Sequence, residues 1–110
     1  MVIIMNLMIN NQKIPIEIAD TFIKRLIGLM GKKNYRTAIL LKNTKFIHTF
    51  GMKMNIDVLY LDKECHVIQY FLNVKPNRVL LYPSGTKHII ELDTQLIINK
   101  DDYINVVVKI

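Results

Sequence analysis

Short apolar runs, each closed by turn-forming residues and recurring at roughly ten-residue spacing, constrain this chain more than any other feature of its sequence. They are Val2 to Ile9, Lys13 to Ile18, Thr37 to Leu41, Phe46 to Phe50, Ile56 to Leu61, His66 to Leu72, Val79 to Tyr82, His88 to Leu92 and Tyr103 to Lys109. Runs of this kind argue for a sandwich or barrel rather than for alternating βαβ units. Asn10-Asn11-Gln12 links the first two runs as a hairpin-like pair, in which Ile14, Ile16 and Ile18 alternate with Pro15 and Glu17. Proline has no N–H for a ladder, so Pro15 suggests an edge strand. Asp62-Lys63-Glu64-Cys65 reads as a second hairpin turn.

One stretch departs from this pattern. Between Asp20 and Met30 the apolar residues Phe22, Ile23, Leu26, Ile27, Leu29 and Met30 follow the period of a helix. Asp20 suits its N-cap and Gly31 its stop, and the apolar arc should face the sheet. Thr21, Arg25 and Gly28 share the opposite face. A glycine inside a helix costs about 1 kcal/mol relative to alanine, so Gly28 marks either a close approach by backbone or ligand or a loosened last turn. The expectation is a mainly β fold: a sandwich or barrel-like single domain over residues 1–110, with about seven to nine strands and one short α-helix near residues 20–30.

The 110 residues, 51% hydrophobic and 22% charged, belong to a globular chain and not to a disordered one. A core of this size needs neither disulfide nor structural metal. Cys65 alone excludes an intrachain disulfide and any C-x-x-C pair, which suits a reducing cytoplasm. The opening run Val2 to Ile9 is interrupted by Asn6 and has no Lys or Arg before it, so a strand is expected there and not a signal peptide. No run approaches the roughly 18 apolar residues of a membrane-spanning helix.

The formal charge of +6 is unevenly placed. No acidic residue lies between Thr21 and Ile56, where Lys24, Arg25, Lys32, Lys33, Arg36, Lys42, Lys45 and Lys53 lie. Such a field attracts anions, nucleic acid or an acidic partner. With arginine only at positions 25, 36 and 78, a solvated lysine surface is the favoured reading over nucleic-acid binding.

Several residues could carry chemistry. His48 shares a strand face with Phe46 and Phe50, and Gly51-Met52-Lys53-Met54 follows it. Asp57 and Glu91 interrupt apolar strands, where a carboxylate must be solvated or paired; Arg25, His48, Lys53 and Arg78 are the candidate partners. The bland reading of such pairs is a structural tie. His48, Cys65, His66 and His88 lack paired ligand spacing, so no metal is expected. No Walker loop, dinucleotide fingerprint or nucleophile elbow is present, no cofactor is expected, and the acidic neighbours of Cys65 disfavour its thiolate.

The ordered set of Arg25 with Gly28-Leu29-Met30-Gly31, His48-Thr49-Phe50-Gly51-Met52-Lys53, Ile56-Asp57, Lys75-Pro76-x-Arg78, Pro83 and Ile90-Glu91-Leu92 resembles the bacterial and archaeal family called domain of unknown function number 192. The resemblance runs from Ala19 to Tyr103. It departs after Leu92, where the family commonly has glycine and this chain has Asp93-Thr94-Gln95. It implies a small β-sandwich-like domain with no established activity, and marks Thr21, Arg25, His48, Thr49, Met52, Asp57, Arg78 and Glu91 as its polar or unusual members. The leading functional expectation is a binding module for a small ligand or a protein segment, its site built from the helix face and the His48-to-Asp57 segment. There Arg25 is expected to pair with Asp57 or Glu91. The alternatives are an enzyme using His48 with Asp57 or Glu91 as an acid–base pair, Arg25 or Arg78 holding an anionic substrate, and a basic protein weakly associated with nucleic acid through the Thr21-to-Ile56 segment. Exposed edge strands permit dimerisation, but nothing in the sequence selects it.

Overall fold

In a computed structural model of the chain, residues 5–9, 12–97 and 103 are described. The apolar runs become strands β1 (Met5–Ile9), β2 (Gln12–Ala19), β3 (Ala38–Leu41), β4 (Ile47–His48), β5 (Ile56–Leu61), β6 (Val67–Val74), β7 (Val79–Leu80) and β8 (His88–Asp93), with one helix, α1 (Phe22–Ile27), between β2 and β3. The fold is mainly β, and no barrel closes among the described residues. The strand expected from Tyr103 to Lys109 lies outside the described residues except for Tyr103, as do residues 2–4 of the first run.

Six strands form one sheet in the order β1-β2-β3-β8-β5-β6. All pairings are antiparallel except β2 with β3. A parallel pair needs a crossover between its strands, and α1 with the loop after it supplies one. β4 and β7 pair separately as a ribbon, Ile47 opposite Leu80 and His48 opposite Val79. β3, β5 and β8 are buried along their whole length. Because side chains alternate across a strand, these three feed two cores. On one face Leu40, Leu59, Leu61 and Ile90 pack with Ile14, Ile16 and Tyr103. On the other, Ile39, Leu41, Val58, Tyr60 and Ile89 lie with Leu29, Ile47 and Met52.

Pro15 is not on an edge, since β2 lies between β1 and β3. The strand tolerates it because the ladder to β3 begins only at Ile16, opposite Ala38. The Asp62-to-Cys65 turn does join β5 to β6: Asp62 Oδ1 accepts from the N–H groups of Glu64 and His66, both at 2.9 Å.

The helix is shorter than its periodic pattern and turned differently. Thr21, not Asp20, is the N-cap: its backbone is extended, and its hydroxyl accepts from the Lys24 N–H at 3.2 Å. The stop is Gly28 rather than Gly31, with φ at 49° and its N–H donating to the Lys24 carbonyl at 3.0 Å. Once the chain leaves helical geometry at Gly28, Leu29 falls out of phase with the helix and enters the second core, fully buried. The apolar arc expected to face the sheet is therefore in solvent, with Phe22, Ile23, Leu26 and Ile27 exposed to 70%, 60%, 48% and 44%. Leu29→Ala should lower stability by about 2–5 kcal/mol through a cavity, while Leu26→Asp should change it by under about 1 kcal/mol. Urea midpoints of the two variants check this, and a larger loss for Leu26→Asp would place the helix face in the core.

Candidate functional site

Glu91 occupies the middle of β8, opposite Ile39 of β3 and Val58 of β5. Strand alternation sends it to the face of the second core, and it is almost wholly buried. Above it the chain turns at Gly28, where a Cβ would stand 2.1 Å from Glu91 Oε1. Only glycine fits there, for its positive φ and for the room it leaves the carboxyl. The close approach that Gly28 could signal is thus made by a side chain of the protein itself. Glu91 Oε2 is buried with no hydrogen-bond partner among the described residues. Burial pushes the carboxyl up to about 8, against the smaller opposing effect of the Leu29 backbone N–H. At neutral pH Glu91 is therefore mostly protonated and able to donate a hydrogen bond.

A cleft of about 270 Å³ opens beside it. One wall is the exposed side of α1, with Phe22, Leu26 and Ile27; the other is the segment bearing Phe46, Ile47 and His48. Arg25, Lys45, Met52 and Glu91 also line it. The two walls are tied together below α1, where the Gly31 N–H donates to the Gly51 carbonyl at 3.0 Å. Met30 lies so close over Gly51 that a Cβ there would meet its Cγ at 2.8 Å.

His48 stacks on Phe50, ring centroids 5.5 Å apart, with Phe46 tilted at 6.5 Å on the same strand face. Its Nδ1 accepts from the Phe50 N–H at 3.2 Å, so the neutral ring carries its proton on Nε2. Arg25 is half-buried, and its Nη1 donates to the carbonyls of Asp20 at 3.0 Å and Lys42 at 3.4 Å. These carbonyls, just past the ends of β2 and β3, take the place of the carboxylate expected to pair with it. Both contacts within ion-pair distance among the described residues are made by His66, with Asp62 and Glu64. Neither Arg25 with Asp57 or Glu91, nor His48 with either carboxylate, forms one.

Of the residues singled out from sequence, Arg25, His48, Met52 and Glu91 converge on the cleft; the other four lie elsewhere. Thr21 caps α1. Thr49 is fully buried and organises the loop before β7: its hydroxyl donates to the Lys75 carbonyl and accepts from the Arg78 N–H, both at 2.8 Å. The Arg78 side chain is exposed and reaches back to the Pro76 carbonyl at 3.3 Å. Asp57 points to the opposite face of the sheet. There its Oδ1 accepts from the Asn73 N–H at 3.0 Å and the Thr94 hydroxyl at 2.7 Å, and its Oδ2 from the Tyr103 hydroxyl at 2.6 Å. The apolar wall residues Phe22, Leu26 and Phe46 were not singled out from sequence, because the helical pattern of the first two and the strand run that holds the third assign such residues to a core. Among the described residues, no three His, Cys, Asp or Glu side chains cluster as they would around a metal. None of the helices described is long and apolar enough to cross a membrane.

The family model DUF192, described as "Uncharacterized ACR, COG1430", matches residues 5–102. The chain belongs to this family. Among DUF192-like relatives, a UPF0127 protein of Thermococcus sibiricus is 38% identical over 96 residues, covering 82% of this chain and 59% of that protein. This chain thus spans less than two thirds of that relative. A UPF0127 protein of Pyrococcus horikoshii is 37% identical, covering 69% of this chain and 70% of its own length. Two solved structures share the fold, both at a TM-score of 0.70. A protein of unknown function from Novosphingobium aromaticivorans is 15% identical, over 86% of this chain and 75% of that one. A putative transcription regulator from Sinorhizobium meliloti is 14% identical, over 80% and 77%. The family description names no activity, so function in this DUF192 domain has to be argued from the cleft.

Glu91 gives the domain a pH-dependent stability. Its folded value near 8 lies above the unfolded value near 4.5, so the folded state holds the extra proton between them. Stability should fall as pH rises through that window, by on the order of 5 kcal/mol, and level off above it. Glu91→Gln cannot ionise and should remove this slope. His88 acts in the opposite sense at lower pH, because burial, with Lys87 and Lys42 nearby, holds its imidazole below the ordinary value. The check is therefore the difference in urea midpoint between wild type and Glu91→Gln at about pH 5 and about pH 8. The variant should gain on the wild type as pH rises, and an unchanged difference would place the Glu91 carboxyl in water.

Proposed function

We propose that this protein is a binding module whose small ligand occupies the cleft between α1 and the Phe46-to-His48 segment. The observation that carries the reading is the buried, unpartnered Oε2 of Glu91 beside that cleft. Buried polar atoms in folded proteins are nearly always hydrogen-bonded, and one left without a partner calls for an explanation; a ligand that accepts its proton provides one. The exposed apolar side chains of α1 support the same reading. An apolar cleft with a few convergent polar groups is the usual form of a small-molecule site, and water is a poor neighbour for four large apolar residues on one short helix. Oε2 is shielded by the surrounding side chains, so contact requires the cleft wall to part, and the apolar side chains of the α1 wall are exposed to solvent.

Binding is favoured over acid–base catalysis by the state of His48. Its Nδ1, where an orienting carboxylate would sit, is taken by a backbone N–H. The apolar walls favour a small molecule over nucleic acid. A reducing cytoplasm suits the single free thiol of Cys65.

A fragment screen followed by amide chemical shifts tests the reading. Hits should perturb the amides of α1, of residues 46–52 and of Glu91, and Leu26→Asp should abolish them with little change in urea midpoint. Hits confined to the Asp57 face of the sheet, or none at all, would refute it.

A further inference from the structure

We infer that the occupant of the cleft is a small organic monoanion with an apolar body, the chemistry of an aryl or medium-chain carboxylate. This rests on the binding reading above and adds the ligand's charge and shape. Every residue lining the cleft except Glu91 comes from the stretch between Thr21 and Ile56, which contains no acid. Two of those residues, Arg25 and Lys45, are cations. Arg25 spends Nη1 on backbone carbonyls, while its Nη2 makes no hydrogen bond among the described residues and keeps both protons for an acceptor. His48, with Nδ1 accepting from Phe50, has its Nε2–H to donate. Glu91 is held protonated by burial and so adds a donor rather than a competing negative charge. The ionisable groups around the cleft are thus donors, with Asn43 and Thr44 as its neutral polar members, and the field is positive. A ligand carrying a cation would face Arg25 and Lys45 with no ionised carboxylate to offset them.

The body of the ligand follows from the walls. Phe22, Leu26, Ile27 and Phe46 present rings and branched chains, and Met52 supplies an adaptable surface. The volume of about 270 Å³ lies just below the usual range of ligand pockets. It suits one ring or a short chain rather than a nucleotide or a lipid with two tails.

Three probes of nearly equal shape separate charge from apolar contact: 3-phenylpropionate, 3-phenylpropanamide and 3-phenylpropylamine, with acetate as the anion that lacks a body. Each is titrated into the full chain and followed by the amides of α1 and residues 46–52. The carboxylate should bind about tenfold more tightly than the amide, a difference of about 1.4 kcal/mol; the amine should be weaker still, and acetate should not saturate. Arg25→Met should weaken the carboxylate much more than the amide and so bring the two affinities close together. Because Arg25 also braces two backbone carbonyls, the exposed Lys45→Met is measured beside it and should weaken the carboxylate about threefold.

Equal or tighter binding of the amide or the amine would overturn the inference while the cleft remained a binding site. So would unchanged carboxylate affinity in a folded Arg25→Met, or in Lys45→Met should Arg25→Met fail to fold. Fragment hits in the cleft without any response to phenylpropionate would have the same meaning. Silence of the cleft amides to these probes and to the fragment screen alike would remove the binding reading itself.

Discussion

The carboxyl of Glu91 lies against the backbone of Gly28, and most of the arrangement around the cleft depends on that contact. A side chain at position 28 would occupy the space of Oε1, so the turn that ends α1 and the acid on β8 must be considered together. Gly28 stops the helix after six residues, and that early stop releases Leu29 into the core and leaves the apolar side of α1 uncovered. The cleft, its apolar wall and its buried acid are consequences of one glycine meeting one carboxyl. Burying that acid opposes folding at neutral pH, and a domain with a well-filled core on each side of its central strands can bear the penalty.

Strands were legible in the sequence where both sides are covered. Ile56–Leu61 and His88–Asp93 are almost unbroken apolar runs, and both are buried from end to end. The helical period of Phe22 to Met30 was legible too, but a period shows only that a stripe exists, not which surface receives it. Tertiary contacts beyond Gly28 turned that stripe to solvent, and no pattern within the segment records them. Pro15 misled for a related reason. Its missing N–H signals a side without a ladder partner, and here that side is local: Pro15 is opposite Asn6 of β1 but stands one residue before the β3 ladder begins.

The motif residues divide by the same logic. Glu91 and Asp57 look alike in sequence, each a carboxylate inside an apolar strand. Asp57 is opposite Leu92, one register position from Glu91, and this single step sends the two acids to opposite faces of the sheet. One receives hydrogen bonds from Asn73, Thr94 and Tyr103, and the other has an oxygen with none among the described residues. Thr49, beside His48, was legible as a motif member but serves the loop that carries Arg78. Sequence marked the residues that matter without showing which of them share a space, because that depends on strand register and on backbone hydrogen bonds.

The position of β8 has a consequence for how the chain is made. It is the last strand among those described, yet it lies between β3 and β5 in the middle of the sheet. As the chain emerges from a ribosome, the β1-β2-β3 group and the β5-β6 hairpin are both available before the strand that joins them. Until residue 93 is free, β3 and β5 each present an apolar edge with open backbone groups, the kind of surface on which chains mispair and aggregate. The strand that carries Glu91 is therefore also the one that closes the sheet, and the acid is buried in the same step that ends this exposure.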